Sequence, residues 1–276
     1  MVAMKKIDWD AAYSNGAYIP GGNDFPPKWK TLAADFRAEM TDAGRLKADI
    51  SYGPHTRNVL DLFMPRGEMK GLAVFVHGGY WMSFDKSAWS HLARGPLTHG
   101  FAVAIPSYEL CPQARISDIT VQIGTAITHA AAEVPGPIHL TGHSAGGQLV
   151  ARMVSSTSPL GQPIRHRIRK TVPISALGDL RPLMRTRMNE TFHLDAVEAR
   201  LESPALLEPQ EGIDVTAWVG GAERPEFRRQ SALLANIWSG FECCADMVEE
   251  PGKHHFDVID GLADGEHPLT RALLCL

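Results

Sequence analysis

What this chain lacks narrows its class before any motif is read. Cysteine is scarce: Cys111, Cys243, Cys244 and Cys275 are all there is in 276 residues. Two of them are adjacent, none forms a CxxC, and no Cys/His set has ligand spacing, so neither a disulfide framework nor a metal site is expected. Reduced structural thiols fit a cytoplasmic protein. No run of about 18 apolar residues occurs, which argues against a membrane-spanning helix. Lys5 and Lys6 are not followed by an apolar stretch, so no signal peptide is expected. A strong charge of either sign is also missing. The 27 basic and 31 acidic residues leave a net charge of −4, which gives nucleic acid no basic face to bind. Internal repeats and low-complexity linkers are absent too.

What is present is a globular composition, with 44% hydrophobic and 21% charged residues. A chain this long buries roughly 75% of its unfolded surface, enough for a sizeable core. Residues 1–50 differ from the rest. Ile19-Pro20-Gly21-Gly22 and Phe25-Pro26-Pro27 read as loop punctuation, and Trp29 to Met40 reads as an amphipathic helix. Trp9, Tyr13, Tyr18, Phe25 and Trp29 make this arm dense in aromatics, suited to docking on a domain or roofing a pocket.

From residue 51 to 276 short apolar runs alternate with helical stretches. Val59–Met64, Leu72–Val76, Phe101–Ile105, Ile138–Leu140, Thr171–Ile174 and Val215–Val219 read as strands. Continuous apolar runs suit strands buried on both faces. Trp89–His99, Ile116–Glu133, Gly146–Ser155 and Pro225–Trp238 read as helices. This rhythm predicts one α/β domain, a mostly parallel sheet flanked by helices, with an N-terminal arm packing near the site. Leu160–Met188 holds seven basic residues against one acid, Asp179, and reads as a solvated face, an anion-binding rim or a subunit contact.

The sharpest signal is Gly142-His143-Ser144-Ala145-Gly146, a G-x-S-x-G between an apolar run and a helical stretch. That setting is a nucleophile elbow: a strained turn holds the Ser144 hydroxyl above the sheet while small neighbours let strand and helix close around it. His77-Gly78-Gly79-Tyr80-Trp81 follows the strand at Leu72–Val76. Glycines there expose backbone N–H donors, so Gly78, Gly79 and Ala145 are the expected oxyanion hole. A base and an acid must follow in the order Ser, acid, His. The acid is expected in the loop after Val215–Val219, where Glu223 comes first and Glu226 opens the next helix. Asp214 is at the wrong end of the strand. The base is His254 or His255. His255 is favoured because Phe256-Asp257-Val258-Ile259 after it would start the last helix; His267 reads as surface.

These residues together resemble the kynurenine formamidases (arylformamidases) of the α/β-hydrolase superfamily. The likeness runs from Ala12-Tyr13-Ser14-Asn15 through HGGYW and Pro106-Ser107-Tyr108, then Ile174–Leu180, Pro225-Glu226-Phe227 and His255-Phe256. Hormone-sensitive-lipase-like esterases carry a third glycine where this chain has Tyr80 and usually Asp in place of His143. The resemblance implies an α/β-hydrolase fold and hydrolysis of N-formyl-L-kynurenine without metal or organic cofactor. It supports His255, which directly precedes Phe. The family acid is typically Asp, so Glu223 is a departure of one methylene. A carboxylesterase or thioesterase of broad short-acyl specificity is the alternative. An aryl substrate wants aromatic walls, for which Tyr80, Trp81, Phe84, Trp89 and Tyr108 are candidates, with Ser107 and Asn15 for a polar head group. The expected partner is a small-molecule substrate, with a homodimer as the candidate assembly.

Overall fold

The computed structural model describes residues 7–276; Lys5, Lys6 and the rest of the first six residues of the expected arm lie outside that range. Eight strands form one sheet: β1 Leu46–Ser51, β2 Val59–Phe63, β3 Gly71–Val76, β4 Phe101–Pro106, β5 Ile138–His143, β6 Ile168–Ile174, β7 Asp214–Gly220 and β8 Cys244–Glu250. Their order is β1-β2-β4-β3-β5-β6-β7-β8. β1 and β2 pair antiparallel, as do β2 and β4; from β4 to β8 every pairing is parallel.

The apolar runs become strands because both faces are covered. β3 sends Leu72, Val74 and Val76 into one buried cluster and Ala73 and Phe75 into the other. The first cluster takes in helix Ile116–Glu133 and the helix after Ser144, Ala145–Met153. The second takes Trp29, Phe36 and Met40 from helix Phe25–Asp42. The chain leaves β3 toward β4 on one side and leaves β5 toward β6 on the other. These neighbouring strands therefore part at their carboxyl ends, and such a switch point is where open parallel sheets hold ligands.

Four expectations need correction. β1 and β8 were not anticipated. Both are edge strands with half-exposed, charge-bearing sequences (LKADIS and CADMVEE), so the continuous apolar signal of an inner strand is missing. Phe25-Pro26-Pro27 is the start of a helix and not loop, because proline in the first turn gives up an N–H that has no partner there. The stretch Trp89–His99 is tight 3₁₀ turns over Lys86–Ala93 followed by a short helix, Arg94–Thr98. Phe256–Ile259 does not open the last helix. The Asp257 carboxylate takes the His254 N–H at 2.7 Å, a local turn that competes with helix, and the last helix is Pro268–Leu274.

Candidate active site

Ser144 lies in the turn between β5 and helix Ala145–Met153, with φ 57° and ψ −116°. Few L-residues adopt such angles, and the surroundings impose them. The Ser144 N–H donates to Ile174 O at 2.8 Å, tying the turn to β6. A Cβ on Gly142 would come within 2.3 Å of Gly146 O, and one on Gly146 within 2.0 Å of Val76 O. Strand, turn and helix close this tightly only with glycine at both positions.

The loop after β3 comes down beside this turn. A Cβ on Gly78 would meet His143 O at 2.8 Å and Ser144 Cβ at 3.1 Å. Gly79 has φ 111°, and Tyr80 and Trp81 follow with φ 52° and 55°, a run of left-handed residues that folds the loop back over itself. Among the described residues the N–H groups of Gly78, Gly79 and Ala145 donate to no protein acceptor. His77 braces the loop: its ring nitrogen Nδ1 is 2.7 Å from Gly78 O, and its ring stacks on Tyr108 at 4.3 Å. Burial pushes the His77 pKa down to about 4, so the ring is neutral.

His255 and Glu223 meet at the ends of β7 and β8. His255 Nδ1 lies 2.6 Å from Glu223 Oε2. The other oxygen of Glu223 accepts from Ser175 Oγ at 2.5 Å and from the Gly220 N–H at 2.8 Å. All of Ser144, Glu223 and His255 are buried. The His255 ring packs against Phe227 at 4.3 Å and against His143 at 4.5 Å. Glu226 does something else. It accepts from the Tyr13 hydroxyl at 2.8 Å and is paired with Arg229. His254 faces Phe25 and holds its own turn through Nδ1.

Ser144, His255, Gly78, Gly79 and Tyr80 all line one cavity of about 540 Å³. Trp81 and Tyr108, expected as substrate contacts, do not line it. Both are fully buried beneath the loop: Trp81 Nε1 donates to Gln148 Oε1 at 3.2 Å, and the Tyr108 hydroxyl donates to His77 O at 2.9 Å. They hold the glycine loop in place from behind. Ser107 is buried too, its Oγ accepting the Lys86 N–H at 3.0 Å, and it is not in the lining. Phe84, Trp89 and Asn15 are in the lining.

Sequence reasoning passed over Met82 and Met188 in the cavity wall and Ser175 behind Glu223; it named Trp29 only among the arm aromatics suited to docking or roofing a pocket, and Arg187 only as one of seven basic residues. The aromatic density of the arm was the available signal for Trp29. The +φ backbone that points Ser175 at Glu223 has no sequence signature, since serine there is ordinary by composition. The arm itself closes one side of the cavity with Tyr13, Asn15 and Trp29. Asn15 Nδ2 donates to the Tyr80 hydroxyl at 2.9 Å, and Tyr80 donates on to Tyr13 O.

The basic segment is dispersed by the fold. Arg167 caps the helix Ile116–Glu133 by donating to Ala131 O at 2.8 Å and to Val134 O at 2.5 Å, Lys170 pairs with Asp214 and Arg181 with Asp179. Arg187 alone of the seven reaches the cavity.

Comparison with known proteins agrees with the fold. Residues 73–262 match the family described as the alpha/beta hydrolase family. Kynurenine formamidases from Salmo salar and Danio rerio are each 28% identical over 237 residues, 82% of this chain and 80% of theirs. A solved structure from a Silicibacter species, named provisionally as a thioesterase, is 53% identical with a TM-score of 0.92, covering 98% of this chain and all of that one.

Proposed function

The chain belongs to the alpha/beta hydrolase family and is a serine hydrolase of kynurenine formamidase-like type; from that premise we propose that it cleaves an aryl formamide, taking N-formyl-L-kynurenine to L-kynurenine and formate. The observation that carries this reading is the likeness to kynurenine formamidases across about four-fifths of both chains. The cavity supports it, since an aromatic leaving group finds Trp29, Phe84 and Trp89 in the walls around Ser144.

In the proposed reaction His255 removes the Ser144 proton as Ser144 attacks the formyl carbon. The carbonyl oxygen becomes an oxyanion against the N–H groups of Gly78, Gly79 and Ala145. One donor of this kind is worth roughly 3–4 kcal/mol of barrier. Glu223 fixes the imidazole with Nδ1 protonated and stabilises the imidazolium that forms. His255 returns the proton to the leaving aniline nitrogen. Water, activated by the same imidazole, then releases formate from the formyl-serine. Glutamate serves in place of aspartate because Ser175 and Gly220 both donate to Oε1 of its longer side chain, which leaves Oε2 turned to His255.

A second reading has its own support, because the 53% identical structure carries a thioesterase name. In that reading the same groups hydrolyse a short acyl ester or thioester. One comparison decides: kcat/KM on N-formylkynurenine against short p-nitrophenyl esters and acyl thioesters. Formamide turnover equal to or above the esters is expected. A preference of several orders of magnitude for esters or thioesters overturns the formamidase reading.

A further inference from the structure

One feature of the basic segment is left unexplained by folding. Arg187 and Asp10 are the formally charged side chains, imidazoles aside, in the lining of a cavity otherwise walled by aromatic, methionine and small polar residues. Asp10 comes from the arm and Arg187 from the segment after β6. Asp10 Oδ1 accepts the Arg187 backbone N–H at 2.7 Å and Oδ2 faces Arg187 Nε at 3.2 Å. The pair thus grips Arg187 at its base and by one edge of its guanidinium. Among the described residues Nη1 and Nη2 donate to no protein acceptor, and the side chain is 85% exposed. A folding role does not require this arrangement, since an exposed pair of this kind adds little stability.

We propose that Arg187 is the specificity-determining residue of the cavity: its free guanidinium face takes a carboxylate at the far end of the substrate, and Asp10 positions that face while presenting its own carboxylate to an adjacent ammonium. The substrate class is then an aryl acyl compound with an apolar ring and an anionic or zwitterionic tail. Planar N–H donors in a fork match carboxylate geometry, and the mouth is open enough to admit the tail without burying its charge. The ring fills the aromatic walls while the acyl group reaches Ser144. For the natural substrate the inference rests on the formamidase reading, because N-formylkynurenine has such a tail.

The experiment uses two matched pairs of substrates. N-formylkynurenine is set against 2-formamidoacetophenone, which keeps the ring and formamide and lacks the amino-acid tail. 3-(4-Acetoxyphenyl)propionate is set against 4-ethylphenyl acetate, which lacks the carboxylate. Arg187→Ala is expected to lower the kcat/KM ratio of the charged to the uncharged member about tenfold in each pair, with the loss in KM. Arg187→Lys keeps part of it, and Asp10→Asn loses a smaller share. Arg185→Ala is the control: Arg185 is exposed on the same segment and outside the cavity, so it reports mere loss of a nearby charge. Ratios that do not move in Arg187→Ala, or that fall equally in Arg185→Ala, overturn the inference. If the wild-type enzyme hydrolyses neither formamide, the formamidase reading falls, and the ester pair still decides the role of Arg187.

Discussion

The site has two halves built in different ways. The half that carries Ser144, Glu223 and His255 hangs from the ends of parallel strands, and the turn that holds Ser144 is fixed by backbone. Ser144 is held through its own N–H to Ile174, and glycines at 142 and 146 stand where any side chain would strike main chain. The half formed by the arm is fixed by side chains. Tyr13 reaches Glu226, Asn15 reaches Tyr80, Arg224 Nη2 donates to Ala11 O at 3.0 Å, and the Arg224 guanidinium sits 3.7 Å over the Tyr18 ring. Backbone-determined geometry is hard to shift in small steps. Side-chain tethers can be exchanged one at a time. The first suits chemistry, where a small misplacement is costly; the second suits a wall that must match one substrate.

That contrast breaks if the two halves respond alike to substitution. Ser144→Ala should abolish turnover on p-nitrophenyl acetate and N-formylkynurenine together, by about 10⁴-fold or more, and should end labelling by a fluorophosphonate probe. Wild-type rates in that variant would remove Ser144 from the mechanism. Glu223→Gln comes next. The amide still accepts from Ser175 or Gly220, yet it cannot hold the imidazole as the carboxylate does, so kcat should fall about a thousandfold with the melting temperature nearly intact. A loss confined to KM would contradict an orienting role for Glu223.

How much of each half could be read from sequence follows from the same contrast. The half proposed for catalysis was legible as a place in the fold because backbone demands leave marks: a glycine pair after an apolar run, G-x-S-x-G between strand and helix, an acid just past a later strand. Even the choice of Glu223 over Glu226 followed from counting residues along the β7 loop, and His255 is the imidazole that meets it. The wall was far less legible. Trp81 and Tyr108 looked like substrate contacts because aromatic residues in loops after strands can turn either way; here Tyr108 stacks on His77 and Trp81 bonds Gln148, both inward. Arg187 was one of seven basic residues with nothing local to single it out. What selects it is Asp10, 177 positions earlier in the chain. The edge strands β1 and β8 escaped notice for a related reason: half-exposed pairing leaves no continuous apolar run.

The catalytic half should also be the more acid-sensitive. Burial pushes His77 down to about 4 and holds His143 well below the ordinary imidazole range. Unfolded imidazoles titrate near 6.5. Between the two values the unfolded chain binds more protons, so stability is intact above about pH 6.5 and is lost as the pH falls toward 4. His77 alone costs up to about 3 kcal/mol by pH 4. His77 and His143 flank the glycine loop and Ser144, so hydrogen exchange there should rise on acidification before it rises in the arm. Denaturation midpoints that stay level from pH 7 to pH 4.5 would contradict this.

The smallest effect should come from the tether that joins the halves. The Tyr13 hydroxyl is buried, donates to Glu226 Oε1 at 2.8 Å and accepts from Gln230 Nε2 at 2.9 Å. Helix Pro225–Trp238, which carries both partners, starts two residues after Glu223. Tyr13→Phe removes the hydroxyl and leaves the ring packed edge-on against Phe227. Glu226 keeps Arg229 and Gln230, so the cost should be about 1–2 kcal/mol of stability. If the arm is only a wall, kcat on p-nitrophenyl acetate should stay within about threefold, while KM for a ring-bearing formamide rises by a larger factor. If kcat on the small ester falls with it, the arm also sets the position of Glu223 through this helix, and the division between a rigid catalytic half and an exchangeable wall does not hold.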